Sequence, residues 1–187
     1  MPPKVQFAKA DILRAAFTMV RRQGIEALNA RALAKEIGCS TQPIFRVFRA
    51  MDEIKQEMLR MAMDAYSMYI SKSAALAPAP YLGTGMAYIL FAREEPELFK
   101  LLFMRDRISD GTMDDSNDIT LDYVIELVMK NTGLHREQAL GFHRHLWIYV
   151  HGLASMVATR FLNVSNDEVQ ALLKEEYKAI RGLYGLP

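Results

Sequence analysis

The chain has 187 residues, of which 51% are hydrophobic and 24% charged, enough to bury one sizeable core or a small domain attached to a larger one. That composition excludes a disordered chain. The formal charge of +1 hides a split: residues 1–60 hold eleven Lys and Arg against six Asp and Glu, whereas residues 61–187 hold twelve against sixteen, so a basic head precedes an acidic body.

Taken in chain order, Phe7 to Gln23 reads as an amphipathic helix with Ile12, Leu13, Ala16, Phe17 and Val20 on one stripe, ended by Gly24. Residues 29 to 49 hold two short helices separated by Gly38-Cys39-Ser40. Leu33 and Ile37 are four apart, as are Ile44 and Phe48, so each helix offers one apolar face to a shared core. Asn29 is a good N-cap for the first of them, and Gly38 supplies the positive φ that ends it. Ser40 or Thr41 caps the second, with Pro43 in its first turn, where a missing N–H breaks no helical bond. On the outer face Gln42, Arg46 and Arg49 recur at i, i+4 and i+7. One amide and two guanidinium groups on one ridge suit the base edges and phosphates of a DNA major groove. The pattern is a helix-turn-helix.

Asp52 to about Ala75 reads as a single long helix leaving the head, with Ile54, Met58, Met61, Ala65 and Met68 as its buried stripe and Ala77-Pro-Ala-Pro80 ending it. The body is predicted to be helical throughout. Tyr81 to Glu94 is nearly all apolar, Pro96 starts a short helix through Met104, and Arg105 to Asn117 is a polar loop expected to be mobile. Further helices are expected over Asp118 to Lys130, Arg136 to Phe161 and Asp167 to Leu183. No segment shows the alternation of a strand, so the fold class is all-α. The division suggested is a DNA-binding head over 1–50 and a body over 51–187.

These residues resemble the TetR-family transcriptional regulators. The resemblance rests on the Ile12-Leu-Arg-Ala-Ala-Phe17 helix, Gly24, Arg31-Ala-Leu-Ala-Lys-Glu-Ile-Gly38, and Ser40 through Phe48. In the body, Trp147-Ile-Tyr-Val-His151-Gly152 is similar to the Trp-x3-His-Gly signature of one C-terminal domain type of that family. The resemblance implies about nine helices, a homodimer built by the last two long ones, and a cavity for a small effector between the connecting helix and the body. It also implies a repressor that leaves a pseudo-palindromic double-stranded operator when the effector binds. Three positions depart from the family pattern. Phe45, Val47 and Met51 stand where the family often has Tyr, His and Lys, each a phosphate contact. Those departures keep open a second reading, a helical small-molecule binder or scaffold that has lost specific DNA binding.

The DNA-facing set is therefore Asn29, Arg31, Ser40, Thr41, Gln42, Phe45, Arg46 and Arg49. Gln42 can take adenine, Thr41 a methyl or hydroxyl contact, and Arg46 guanine or phosphate. Phe45 either meets a thymine methyl or packs inward. Asn29 and Arg31 open the preceding helix, where phosphate is favoured. Met61, Met68, Met86, Phe99, Phe103, Met104 and Trp147 are candidates for an adaptable apolar pocket, against the plainer reading of an ordinary helical core. His151 and Gly152 are candidates for the dimer contact.

Neither catalysis, a metal nor a cofactor is indicated. Cys39 is the single cysteine, which excludes an intrachain disulfide. His143 and His145 point to opposite sides of a helix, and with His135 and His151 they find no convincing further ligand. No nucleophile–base pair or phosphate-cradling glycine loop occurs. Met1-Pro-Pro-Lys lacks the form of a signal peptide, and the run from Leu146 to Thr159 is too short to span a bilayer, so a cytoplasmic protein is expected.

Overall fold

The computed structural model describes residues 7–76, 79–106 and 119–187 and contains, among them, nine α-helices and no strand. The expected polar loop from Arg105 to Asn117 falls mostly outside the described residues. The chain forms two compact units, 1–65 with 95–104, and 66–94 with 105–187. Helix α4 contributes residues to both.

In the first unit, α1 (Lys9–Gln23) is closed by Gly24 at φ 82°, and a single 3-10 turn, Ile25–Ala27, leads to α2 (Ala30–Glu36) and α3 (Thr41–Val47). Ile12, Ala16, Val20, Leu33, Ile44 and Phe48 are all buried, as the apolar spacing requires. Met19 joins them, while Leu13 and Phe17 are only half-buried. The Asn29 carboxamide oxygen accepts the Ala32 N–H at 3.0 Å, the expected cap. Gly38 has φ 72°, a left-handed position that a Cβ would strain.

The long helix α4 (Met51–Leu76) corrects one expectation. Its buried stripe is Ile54, Met58, Ala62, Tyr66 and Ile70, whereas Met61 and Ala65 are half-buried and Met68 is 69% exposed. The stripe recurs strictly every four residues and so drifts round the helix. The anticipated alternation of four and three leaves it after Met58.

Helix α6 (Pro96–Phe103) belongs to the first unit and packs on α1. Pro96 stands at its first position, where no amide is needed. Arg21 of α1 holds the buried Glu95 carboxylate through two guanidinium nitrogens, with Nε at 2.8 Å from Oε2. At Gly24 a Cβ would stand 2.7 Å from a Glu97 carboxylate oxygen, the tip of a flexible side chain that can swing aside, so the turn after α1 needs glycine for its φ rather than for space.

The second unit is built on α5 (Pro80–Glu94), which packs against α7 (Ile119–Thr132), α8 (Arg136–Ala158) and α9 (Asn166–Leu183). Phe142 is fully buried at its centre, edge-on to Tyr177 and Tyr184 at 5.6 and 5.4 Å. Ser165 and Glu168 form a reciprocal capping box that starts α9. Arg93 ties the end of α5 to that cap through the Val164 carbonyl and the Asn166 side chain.

Candidate nucleic-acid interface

The turn between α2 and α3 is fixed by three features already noted: the Asn29 cap, the left-handed Gly38 and the buried pair Leu33 and Ile44. With those faces turned inward, Gln42 and Arg46 lie one turn apart on the exposed side of α3. Arg49 is also exposed, but it is not on the helix. The helix ends at Val47, and Phe48 turns extended, at φ −118° and ψ 139°. Extended backbone lets the Phe48 ring stay in the core, only 2% exposed, while the chain turns towards α4. The expected ridge of three is thus two residues on α3 followed by Arg49 in the connection. There the Arg49 N–H donates to the Glu53 carboxylate at 3.1 Å, which closes the start of α4.

The charge pairing of the first unit separates its arginines into two groups. Arg14 pairs with Asp11, Arg21 with Glu95, Arg22 with Glu36 and Arg60 with Glu57. Among the described residues, no carboxylate engages Arg31, Arg46 or Arg49, all exposed. A guanidinium left without a carboxylate partner is available to phosphate or a base edge. Three such groups fall on the elements around one turn.

The other members of the set differ in availability. Ser40 is the N-cap of α3 by its backbone angles, yet its hydroxyl makes no capping bond and is exposed. Thr41 is half-buried. Asn29 is exposed, but its amide oxygen is committed to Ala32 and its nitrogen donates to the Ala27 carbonyl at 3.3 Å. Phe45 is 46% exposed and Val47 38%, so neither is a core residue. Burial keeps the Cys39 thiol above its ordinary pKa and therefore protonated, and its Sγ–H donates to the Ser40 carbonyl.

The apolar candidates divide between the two units. Met61, Phe99, Phe103 and Met104 belong to the first, and Met68, Met86 and Trp147 to the second. Phe99 is fully buried against Phe103, with ring centroids 5.3 Å apart, whereas Met68 and Met104 are exposed. Trp147 is 41% exposed and lies flat on His151 at 5.0 Å. His151 in turn meets the buried Tyr88 hydroxyl through Nδ1 at 2.9 Å. A second pair, Tyr81 with His143 at 3.0 Å, repeats the arrangement along α5 and α8. Spacing alone did not reveal either pair, because each partner is some sixty residues away in the chain.

Gly152 is exposed, and a Cβ there would meet no described atom within 4 Å. The close approaches occur elsewhere, at Gly85 beside Leu173 and at Gly141 beside Tyr184. Around Gly152 the surface of α8 carries Ile148, 60% exposed, and Met156, 37% exposed, at four residues on either side. These two flanking residues were not singled out by sequence. Their spacing is a helical stripe, but in an apolar helix buried and exposed stripes look alike.

Desolvation holds the pKa of His151 below its ordinary value of 6.5. The folded protein therefore binds a proton there less readily than the unfolded chain. Stability should be level above that value and fall as the pH drops through it towards the lower folded pKa. Melting curves between about pH 5 and 7.5 should show this loss, and His151→Gln should flatten part of it. An unchanged pH profile in the variant would mean that His151 is not the group responsible.

Comparison with known proteins adds the family. Residues 82–180 match the family model described as tetracyclin repressor-like, C-terminal domain, which is just over half of the chain. The chain belongs to that family. Its members are TetR-like transcriptional regulators, so the all-helical fold and the helix-turn-helix have the context that the sequence resemblance implied. The crystal structure of a TetR-like transcriptional regulator from Rhodococcus sp. RHA1 matches this TetR-like chain with a TM-score of 0.70, covering 99% of each at 16% identity. At that identity the likeness concerns the fold. None of the curated proteins matches. No helix among the described residues is long and apolar enough to cross a membrane.

Proposed function

We propose that this TetR-like protein is a homodimeric, sequence-specific DNA-binding regulator, with residues 1–50 as the reading head and residues 51–187 as the effector-binding and dimerisation part. The observation that carries the proposal is the set of three arginines of the helix-turn-helix that have no carboxylate partner among the described residues, with Gln42 beside them, in a unit whose other arginines, on α1 and α4, are paired. Arg31 and Arg49 serve the phosphates, while Gln42 and Arg46 face the base edges. One short helix neutralises few phosphates, so a second copy is needed, with half-sites one helical turn of about 34–36 Å or a multiple apart. The exposed apolar stripe of Ile148 and Met156 beside Gly152 supports the last two long helices as the surface that joins the copies. Repression, and release by a small effector in the body, follow the usual behaviour of the family. An effector acts only if it binds the free and DNA-bound states with different affinity.

Selection from a pool of random duplexes tests the reading. The expected product is a pseudo-palindrome protected on both half-sites. Phe45, Val47 and Met51 lack the donors that the family often places there, and this favours the rival, a helical binder or scaffold without specific DNA binding. Recovery of no preferred sequence would decide for that rival.

A further inference from the structure

Phe45 is the larger of the two exposed apolar side chains of α3, and at 46% exposure it is not the core residue that sequence left open. The core beside it is already occupied by Ile44 and Phe48, 0% and 2% exposed. At about 100° per residue, Phe45 stands one turn after Thr41, in a row that runs alongside the Gln42–Arg46 row. An amide and a guanidinium thus stand next to a bare phenyl ring on one short helix. A single exposed ring is ordinary on a protein surface. Here Arg46 and Arg49, one and four residues further on, have no carboxylate partner among the described residues, so the surface complements a polyanion. The ring itself carries no donor for a phosphate.

A major groove offers such a ring one apolar target. Every base edge there presents hydrogen-bonding groups, and only thymine adds a methyl, at C5. From Gln42 to Phe45 the helix rises about 4.5 Å, comparable with the 3.4 Å step between stacked bases. An amide on adenine and a ring on a thymine methyl at the same or the next base pair are therefore compatible. Building on the DNA-reading role proposed above, we infer that Phe45, with the Thr41 methyl behind it, is a specificity-determining residue that packs on a thymine C5 methyl in each half-site.

The experiment replaces thymine by deoxyuridine, one symmetric position at a time, in the selected duplex. This removes the methyl and keeps every hydrogen bond. Binding of the full-length protein is followed by fluorescence anisotropy. At one position per half-site the wild-type protein should lose about 4-fold in affinity per methyl, the value for one buried methyl group, hence about 15-fold for the symmetric pair. Phe45→Ala should bind the thymine duplex more weakly and be indifferent to deoxyuridine at that position. Its melting temperature should fall only slightly, since the ring is half exposed and outside the core. Equal wild-type affinity for thymine and deoxyuridine duplexes at every position would overturn the inference while leaving the DNA-reading role in place. So would a Phe45→Ala protein that keeps the full deoxyuridine penalty. Failure to select any duplex would overturn both together.

Discussion

Arg46→Ala should weaken operator binding by about 1–3 kcal/mol for each half-site, and Gln42→Ala by a similar amount, with the fold and the assembly state unchanged. The expectation of an intact fold comes from exposure: neither side chain has a partner among the described residues, so nothing internal is lost. Arg14→Ala is the matched control, because Arg14 is already paired with Asp11 at 3.0 Å; its removal should leave affinity nearly unchanged. The two chemistries open to Arg46 separate in the same measurements. If it holds phosphate, the slope of log affinity against log salt should become shallower by about 2 for the two protomers, with sequence preference kept. If it grips guanine, preference at one base pair per half-site should relax, and the slope should change little. Unaltered affinity in both the Arg46 and Gln42 variants would remove the ridge from DNA.

What could be read before the structure was known followed from backbone chemistry more than from side-chain pattern. Asn29, Gly24 and Gly38 all stand at helix ends, because capping oxygens and left-handed φ values belong to particular residue types. The interior faces were less legible. In α4 the residues near the misjudged stripe are almost all Met, Ala, Tyr or Ile, so several stripes share the same apolar content. Which one is buried depends on the neighbouring helices, as Tyr66 shows, edge-on to Tyr88 at 5.8 Å. Helix α5 is apolar on most sides, and no pattern in it announces that Tyr81 and Tyr88 seek His143 and His151, two of the three histidines of α8. The Arg21–Glu95 pair links positions 74 residues apart and was equally invisible.

The reading face shows the same division. That Gln42 and Arg46 share a side of α3 is a matter of counting by four. That Arg49 leaves the helix is not, since it depends on Phe48 keeping its ring in the core while its backbone unwinds. The clearest sign of the site, the sorting of arginines into paired and unpaired, needs the fold. Arg22 and Glu36 are brought to 3.1 Å by the packing of α1 on α2, and among the described residues no such carboxylate is brought to Arg46.

Ile148→Glu should turn the proposed dimer into monomers and lower operator affinity by about 100-fold or more. Joining two heads makes the second contact intramolecular, and separating them forfeits that gain of about 10²–10⁴. The side chain is 60% exposed in the single chain, so a carboxylate there costs the fold of one protomer little. Phe142→Ala, by contrast, would open a cavity at a fully buried site and lose about 3–5 kcal/mol of stability whether or not a partner is bound. Gly152→Leu sharpens the contrast. In one chain the added side chain enters open space, and leucine favours a helix over glycine by close to 1 kcal/mol, so the isolated protomer should be as stable or more so. A partner helix lying over Gly152 would be pushed off by the same leucine. Sedimentation should then show monomers for both variants, with helical content unchanged and operator binding weak in each. If both remain dimers with full affinity, the copies meet elsewhere, and the exposed stripe of α8 has another purpose.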